Sequence, residues 1–494
     1  MTAVVSKEKI FLQGLVKVVL VLLIIGVIAT PLIGTMYTYP SEDDFSYESG
    51  GLQGAAEYQS AIKGSFYKTV NIYKMQQGCY TPMFLDHLLI PYSRFGLPGF
   101  HVAVFSYVAI CIASLIAVSF TLVKDKTASL TLILAAMMSI FTMSQSGQNK
   151  DIIFWHTETL GFTLMIGFMF FGLFFSILSF RSKGAKCGAY IALASVLAFL
   201  ASGASLTVVA VNCGILLAVL ILDYEEFLNR KFLAIPFIFG FVGALINAVA
   251  PGNFARSDES AVPGHETLLD GIRDTFACFF HALPKAIDIV FILVAIVVFA
   301  VCIIYRVQVL KGSISGIRMI IVVGGVLLLQ IMELFPAAYG SHTDKLPGHL
   351  AIEHNIITRL TVLFVVICFA QFAREHFIKE KIVSNLAIWR GVWVVAVALM
   401  LILPISRGII DKSFTARTYR DFTSGTFTRV YKIREYELSF FDMAEEGTDA
   451  ILYAPWDVSS ESMVSLGITA DSEWFVNRSA ANLYNLHTTT VLIP

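Results

Sequence analysis

The chain has 494 residues, of which 56% are hydrophobic and 14% charged, with 35 Lys and Arg set against 36 Asp and Glu for a net charge of −1. Soluble domains carry about 25% charged residues, so this composition excludes a soluble globular protein and indicates a polytopic membrane protein. The near-neutral balance selects no partner by itself, no nucleotide-binding glycine motif occurs, and no nucleic-acid partner is expected.

In chain order, the first apolar run is Phe11 to Met36, long enough to cross the hydrocarbon core as a helix. Lys7 and Lys9 precede it, which orients its N-terminus toward the cytoplasm. No small-residue cleavage site follows a short apolar region, so the run is expected to be an uncleaved anchor. The acidic cluster Tyr39-Pro40-Ser41-Glu42-Asp43-Asp44-Phe45 then stands where this helix leaves the bilayer, facing outward. It opens a long first outer loop, residues 37–98. Within that loop Ala56, Tyr58, Ala61, Ile62, Phe66, Tyr67, Val70 and Tyr73 recur at helical spacing beside Glu57, Lys63, Lys68 and Lys74, which predicts an amphipathic helix over 55–73 on the membrane surface.

Further spans are expected near 100–123, 127–143, 160–180, 187–202, 206–222, 232–249, 286–305, 317–334, 356–372 and 388–403, about eleven transmembrane helices in all. The short pair 187–202 and 206–222, joined by Ser202-Gly203-Ala204-Ser205, reads equally as a re-entrant hairpin. Basic residues alternate with the spans: Lys124, Arg181, Lys183, Arg230, Lys231, Arg306, Lys311, Arg318 and Arg374 fall in connections expected on the cytoplasmic side. The chain divides into a transmembrane domain, 1–405, and an extracytoplasmic tail, 406–494. Ala450 to Ala454 reads as a strand, which predicts a small α/β appendage. Cys79 and Cys278 are the two cysteines in outer loops, and a disulfide between them is one reading that spacing cannot establish.

A carboxylate at the outer water–lipid boundary can take a proton from a sugar hydroxyl while a lipid-linked donor stays in the bilayer. Asp44 is the first candidate for that base and Asp43 the second. The competing role for Asp44 is structural, closing a capping box with Ser41. Arg256 follows the turn Pro251-Gly252-Asn253 at an outer span end, where it could grip a phosphate or anchor to headgroups. Glu333 and Arg359 lie about one turn inside their spans, as a functional pair or a self-neutralising one. His354 and Asn355 are placed just outside the tenth span, within reach of phosphate or sugar. Trp155, Tyr80, Tyr339 and Trp474 could stack on sugar rings or simply belong to the interfacial aromatic belt. A zinc site built from His156 and Glu158 with His265, Glu266 or His281 lacks the expected ligand spacing and is rejected.

Asp43-Asp44-Phe45, Phe154-Trp155-His156-Thr157-Glu158 and Ala250-Pro251-Gly252-Asn253-Phe254-Ala255-Arg256 resemble the motifs of a bacterial polytopic family of unknown function assigned to the GT-C glycosyltransferases. The resemblance implies a GT-C-like, all-α polytopic fold and a polyprenyl-phosphate-linked sugar as donor. It also implies a first-loop Asp acting as base or, in some members, as ligand to Mg²⁺ or Mn²⁺. The usual downstream acidic motif is replaced at best by Glu158. The expectation is therefore a bacterial membrane glycosyltransferase acting on a cell-envelope glycan or polymer, with membrane lipids around it. Asp44 and Asp43 would be catalytic, Arg256, Arg359 and His354 would hold the donor phosphate, and Glu158, Trp155, Asn253 and Glu333 would bind substrate. Two other classes stay open: a transporter or lipid-linked glycan flippase, and a polysaccharide polymerase or ligase.

Overall fold

The computed structural model describes residues 2–143, 147–259, 267–346, 348–378, 408, 410–454, 460–464 and 467–492. It is an all-α polytopic bundle with one small sheet. Helix α1 spans Thr2–Gly34, and the first loop folds as α2 (Asp44–Glu57), α3 (Ala61–Met75) and α4 (Tyr80–Leu89). Next come α5 (Pro91–Leu122) and α6 (Lys126–Phe141), then α7 (His156–Phe180), which begins through a π-helical stretch at Thr159–Leu164. Helices α8 (Gly184–Ala201), α9 (Leu206–Leu222) and α10 (Lys231–Ala248) follow, with α11 (Pro251–Glu259) beyond them. The later half holds α12 (Leu268–Ala286), α13 (Ile289–Ile304), α14 (Gly316–Met332), α15 (Phe335–Gly340) and α16 (Gly348–His376).

Among the described residues seven helices are long and apolar enough to cross a membrane, or eight if the bent pair α12–α13 counts as one span. Expected spans 127–143 and 206–222 are shorter apolar helices here, and the expected span 388–403 lies outside the described residues. The surface helix expected over 55–73 is instead two helices. Gln59 adopts a positive φ of 48° between them, and Ser60 caps α3 by accepting a hydrogen bond from the Lys63 amide. Near the expected end of the first loop at 98, α5 opens with a short turn from Pro91 and breaks at Gly96, whose φ of 62° and ψ of −163° are not helical. Cys79 and Cys278 are free thiols.

The two ends of the bundle differ in charge for a local reason. At one end, arginines close helix C-termini whose last carbonyls have no intrahelical donor. Arg181 donates to the Thr121 carbonyl at 2.6 Å, Arg230 to that of Ser182 at 2.8 Å and Arg374 to that of Val307 at 3.2 Å, while Lys311 pairs with Asp223 at 2.9 Å. The opposite end gathers the first loop, the α8–α9 turn and α11. There the Tyr73 hydroxyl donates to the Ile246 carbonyl at 2.7 Å, and the Thr81 amide to that of Gly203 at 3.2 Å. The tail packs onto this second end through α17 (Phe414–Thr423), α18 (Thr426–Asp442) and α19 (Phe475–Leu483). Its strands β1 (Asp449–Tyr453) and β2 (Thr488–Leu492) pair in parallel, with the α19 helix between them in sequence. The tail is not a detached appendage: Thr415 bridges the Val27 and Phe141 carbonyls, Tyr39 donates to the Val464 carbonyl, and Tyr92 meets Tyr484 at 2.9 Å.

Arg359 accounts for the sharpest bend. From α16 its Nε donates to the Ala286 carbonyl and its Nη2 to Asp288 Oδ2, each at 2.7 Å, which pins the 74° corner between α12 and α13. Removing one partner of a buried charged pair costs about 3–5 kcal/mol, and less here because Asp288 is partly exposed. Arg359→Met is therefore expected to lower the melting temperature of the purified protein more than Arg359→Lys, which keeps the charge. Equal melting temperatures for both would refute the staple.

Candidate active site

After α1 the chain turns at Thr35–Tyr37 and runs into α2, which starts at Asp44. Asp44 is 1% exposed, and its carboxylate is fully occupied. Oδ2 accepts the Ser41 amide at 2.9 Å, while the Ser41 hydroxyl donates to the Tyr39 carbonyl at 3.3 Å rather than returning a bond to the helix. Oδ1 accepts both the amide and the hydroxyl of Thr157, at 3.0 and 2.8 Å, so it ties the first loop to the start of α7. Burial pushes its pKa up to about 7, against the opposing pull of His156 and these hydrogen bonds. These donors fasten Asp44 between Ser41 and Thr157, and the reciprocal capping box weighed from the sequence is not formed, because Asp43 rather than Ser41 stands at the helix N-cap.

His156 stands between acids, with Nδ1 3.2 Å from Asp86 Oδ1 and 3.9 Å from Asp44 Oδ1, and Nε2 3.3 Å from the Tyr107 hydroxyl. Asp86 Oδ2 is buried with no hydrogen-bond partner. Neighbouring positions on a helix point about 100° apart, so fixing Asp44 inward turns Asp43 elsewhere. Asp43 is half-buried, and its pKa is raised by burial and by Asp86 while Arg256 lowers it. The Tyr47 phenol stands in the field of Asp43, Asp86, Glu158 and Cys79. Glu42 rises to about 7, chiefly by burial and then by Asp151, which itself rises to about 6.

Arg256 is carried by α11, whose seat depends on its own opening residues Pro251-Gly252-Asn253. A Cβ on Gly252 would lie 2.5 Å from the amides of Gln76 and Gln77, so only glycine lets the two segments meet. Asn253 clamps the same contact: its Oδ1 accepts the Gly78 amide at 2.8 Å and its Nδ2 donates to the Asn247 carbonyl at 2.7 Å. Both ends of its side-chain amide are engaged in this clamp. One turn later Arg256 is exposed, touches Gln77 Oε1 at 3.1 Å, and is felt electrostatically by Asp43, Cys79 and His349. Burial pushes the Cys79 thiol up to about 12, partly offset by Arg256.

Other sequence candidates lie elsewhere. Arg359 is the corner staple and pairs with Asp288 rather than Glu333. Helix α16 starts at Gly348, so His354 and Asn355 are buried within it rather than in a loop, and His354 Nδ1 meets Glu333 Oε1 at 2.5 Å. Trp155 is 8% exposed within the core, its indole N–H unpartnered, and offers no open face for sugar stacking. Tyr80 donates to the Phe199 carbonyl, Tyr339 stacks on Phe335, and Trp474 sits in the tail beside Phe475. Glu158 is half-buried near Asp43 and Glu353, with Oε2 unpartnered.

Sequence reasoning missed Asp86 and Glu353. Asp86 sits in the otherwise apolar Met83-Phe84-Leu85-Asp86, a weak signal; Glu353, whose carboxylate accepts from Ser205 at 3.0 Å, carried none beyond its depth in a helix. His265 and Glu266, weighed for zinc, lie outside the described residues, and His281 contacts the Asp344 carbonyl. Among the described residues no three His, Cys, Asp or Glu side chains form a ligand set for a metal ion. No family model, curated protein or solved structure matches the chain.

The raised acid has a stability consequence with a definite sign. Unfolded Asp44 releases its proton near pH ~4, whereas folded Asp44 keeps it to about 7. Its contribution is therefore full below ~4 and is lost as pH rises through about 7. Melting temperatures read from pH 4 to 8 should fall less steeply in Asp44→Asn than in the unsubstituted protein. An identical slope would contradict this assignment.

Proposed function

We propose that this chain is a GT-C-like glycosyltransferase of the bacterial cytoplasmic membrane that moves one sugar from a polyprenyl phosphate to a cell-envelope glycan on the outer face. The observation that carries the reading is a pair of opposed charges that do not neutralise each other. Arg256 is felt at Asp43, yet among the described residues no ion pair or hydrogen bond joins them. Charges held apart in this way can act on the two ends of a breaking bond. The basic end of the bundle favours a cytoplasmic N-terminus, which puts the acidic end and the tail outside.

The acceptor hydroxyl attacks the anomeric carbon while the carbon–oxygen bond to the lipid phosphate breaks. Its proton passes to Asp43, and the bonding pair leaves on the phosphate oxygen, which Arg256 stabilises. Asp44 supports the step by holding the loop, so the base assigned first from sequence gives way to its neighbour. Single displacement by one base and one cation inverts the sugar.

The test is transfer from a labelled polyprenyl-phosphate sugar in membranes. Asp43→Asn should lower the rate by ~10²–10⁴-fold with the melting temperature held. Arg256→Lys should cost roughly 10-fold, because the ammonium keeps the charge and loses the fork. Raised by burial, Asp43 should protonate above the usual carboxylate range, so the acid limb of the rate profile should sit above pH ~4 and vanish in Asp43→Asn. Unchanged transfer by Asp43→Asn rejects the base, and solute uptake by vesicles lacking lipid-linked sugar favours a transporter instead.

A further inference from the structure

Helix α12 falls in a stretch the sequence assigns to an outer connection, yet its surface is wrong for water. At about 100° per residue its side chains sort into three sectors. One packs on the protein: Gly271, Thr275, Cys278, Phe279 and Ala282 are buried, with Cys278 and Phe279 against Leu334 and Ala338. Gly271 is required there, since a Cβ would meet the Tyr339 ring at 2.4 Å. A second sector carries Asp270, Arg273 and His281. The third is apolar and uncovered: Leu268 is 60% exposed, Leu269 74%, Ile272 41%, Phe276 44% and Phe280 63%.

Spacing of three and four residues makes this third sector one continuous stripe. An exposed apolar patch of this kind calls for a partner. Two observations identify it. Beyond the 74° corner the adjoining α13 also exposes apolar side chains, Ile289, Ile292 and Ile296 at 42–52%, as expected for a helix against lipid chains. The corner itself is fixed by buried Arg359 on the backbone carbonyl of Ala286, so α12 is held across the direction of the spans rather than along it. A helix with a charged sector beside an apolar one suits the headgroup boundary.

We propose that α12 lies in the plane of the bilayer interface, with Leu268, Leu269, Ile272, Phe276 and Phe280 among the lipid chains and Arg273 toward the headgroups. The occupant of the stripe is lipid, not a second copy of this chain. Helices α11 and α12 both pack on α15, so this lipid-facing shelf adjoins the segment that bears Arg256.

The inference does not depend on any enzymatic activity. Phe276→Trp and Phe280→Trp proteins would be placed in nanodiscs containing phosphatidylcholine brominated at shallow acyl positions. Each new indole should lose at least half of its added fluorescence relative to the unsubstituted protein, and should resist aqueous iodide. Quenching by iodide with none by bromine would place the stripe in water and overturn the proposal. So would protection from both quenchers together with a doubled particle mass by light scattering, which would mean a second copy covers it. Melting temperatures and a third variant, Leu269→Trp, guard against misfolding at a single site.

Discussion

The acidic end of this molecule is organised by one buried carboxylate. Asp44 accepts the Ser41 amide and both donors of Thr157, and so joins the end of the first helix to the start of α7, far apart in sequence. A carboxylate out of water needs such donors to be tolerated at all. Because the next residue on a helix faces another way, locking Asp44 decides where Asp43 looks. The Thr157 contact also sets His156, which then spans Asp44 and Asp86. Adjacent acids in one motif thereby take opposite roles, one as fastening and one as the group left within reach of a ligand.

Charge segregation follows from different causes at the two ends. Arginines at the basic end are consumed by helix C-terminal carbonyls, which makes them structural as well as topological. At the other end acids outnumber cations, and burial raises Glu42, Asp43, Asp44 and Asp151 together. Arg256 is a cation placed among them, seated by Gly252 and Asn253. Lys150 is a second cation there, acting on Glu42 and Asp151.

The sequence makes the helical, membrane-bound character legible, because run length and apolar content are local properties. The first acidic cluster and the strand at 450–453 are also visible, since each follows from a few neighbouring residues, whereas Pro251-Gly252-Asn253, expected as a turn, opens helix α11. What stays hidden depends on pairing across the chain. Glu333 and Arg359 look like partners by depth, but the structure gives them His354 and Asp288 instead. Asp86 acquires meaning only beside His156, and α12 reads as an outer loop because its apolar stripe is interleaved with Asp270, Arg273 and His281. The clamp that Asn253 makes is one that no single-sequence pattern reveals.

Ionisable groups buried in a bilayer are functional suspects by default, but the default must be weighed against local compensation. Arg359 has a carbonyl and a carboxylate, so its burial is explained by its partners without any substrate, whereas Glu333 meets an imidazole through Oε1 and keeps Oε2 buried without a hydrogen-bond partner. Asp43 and Arg256 differ in kind. They stand at the boundary, partly open, near enough to influence one another and not joined in an ion pair. A structure seeking stability alone would gain little from opposite charges kept apart, since a surface pair contributes only about 0–1 kcal/mol even when made. On the proposed function their separation leaves space for a third group, a hydroxyl reacting beside a phosphate.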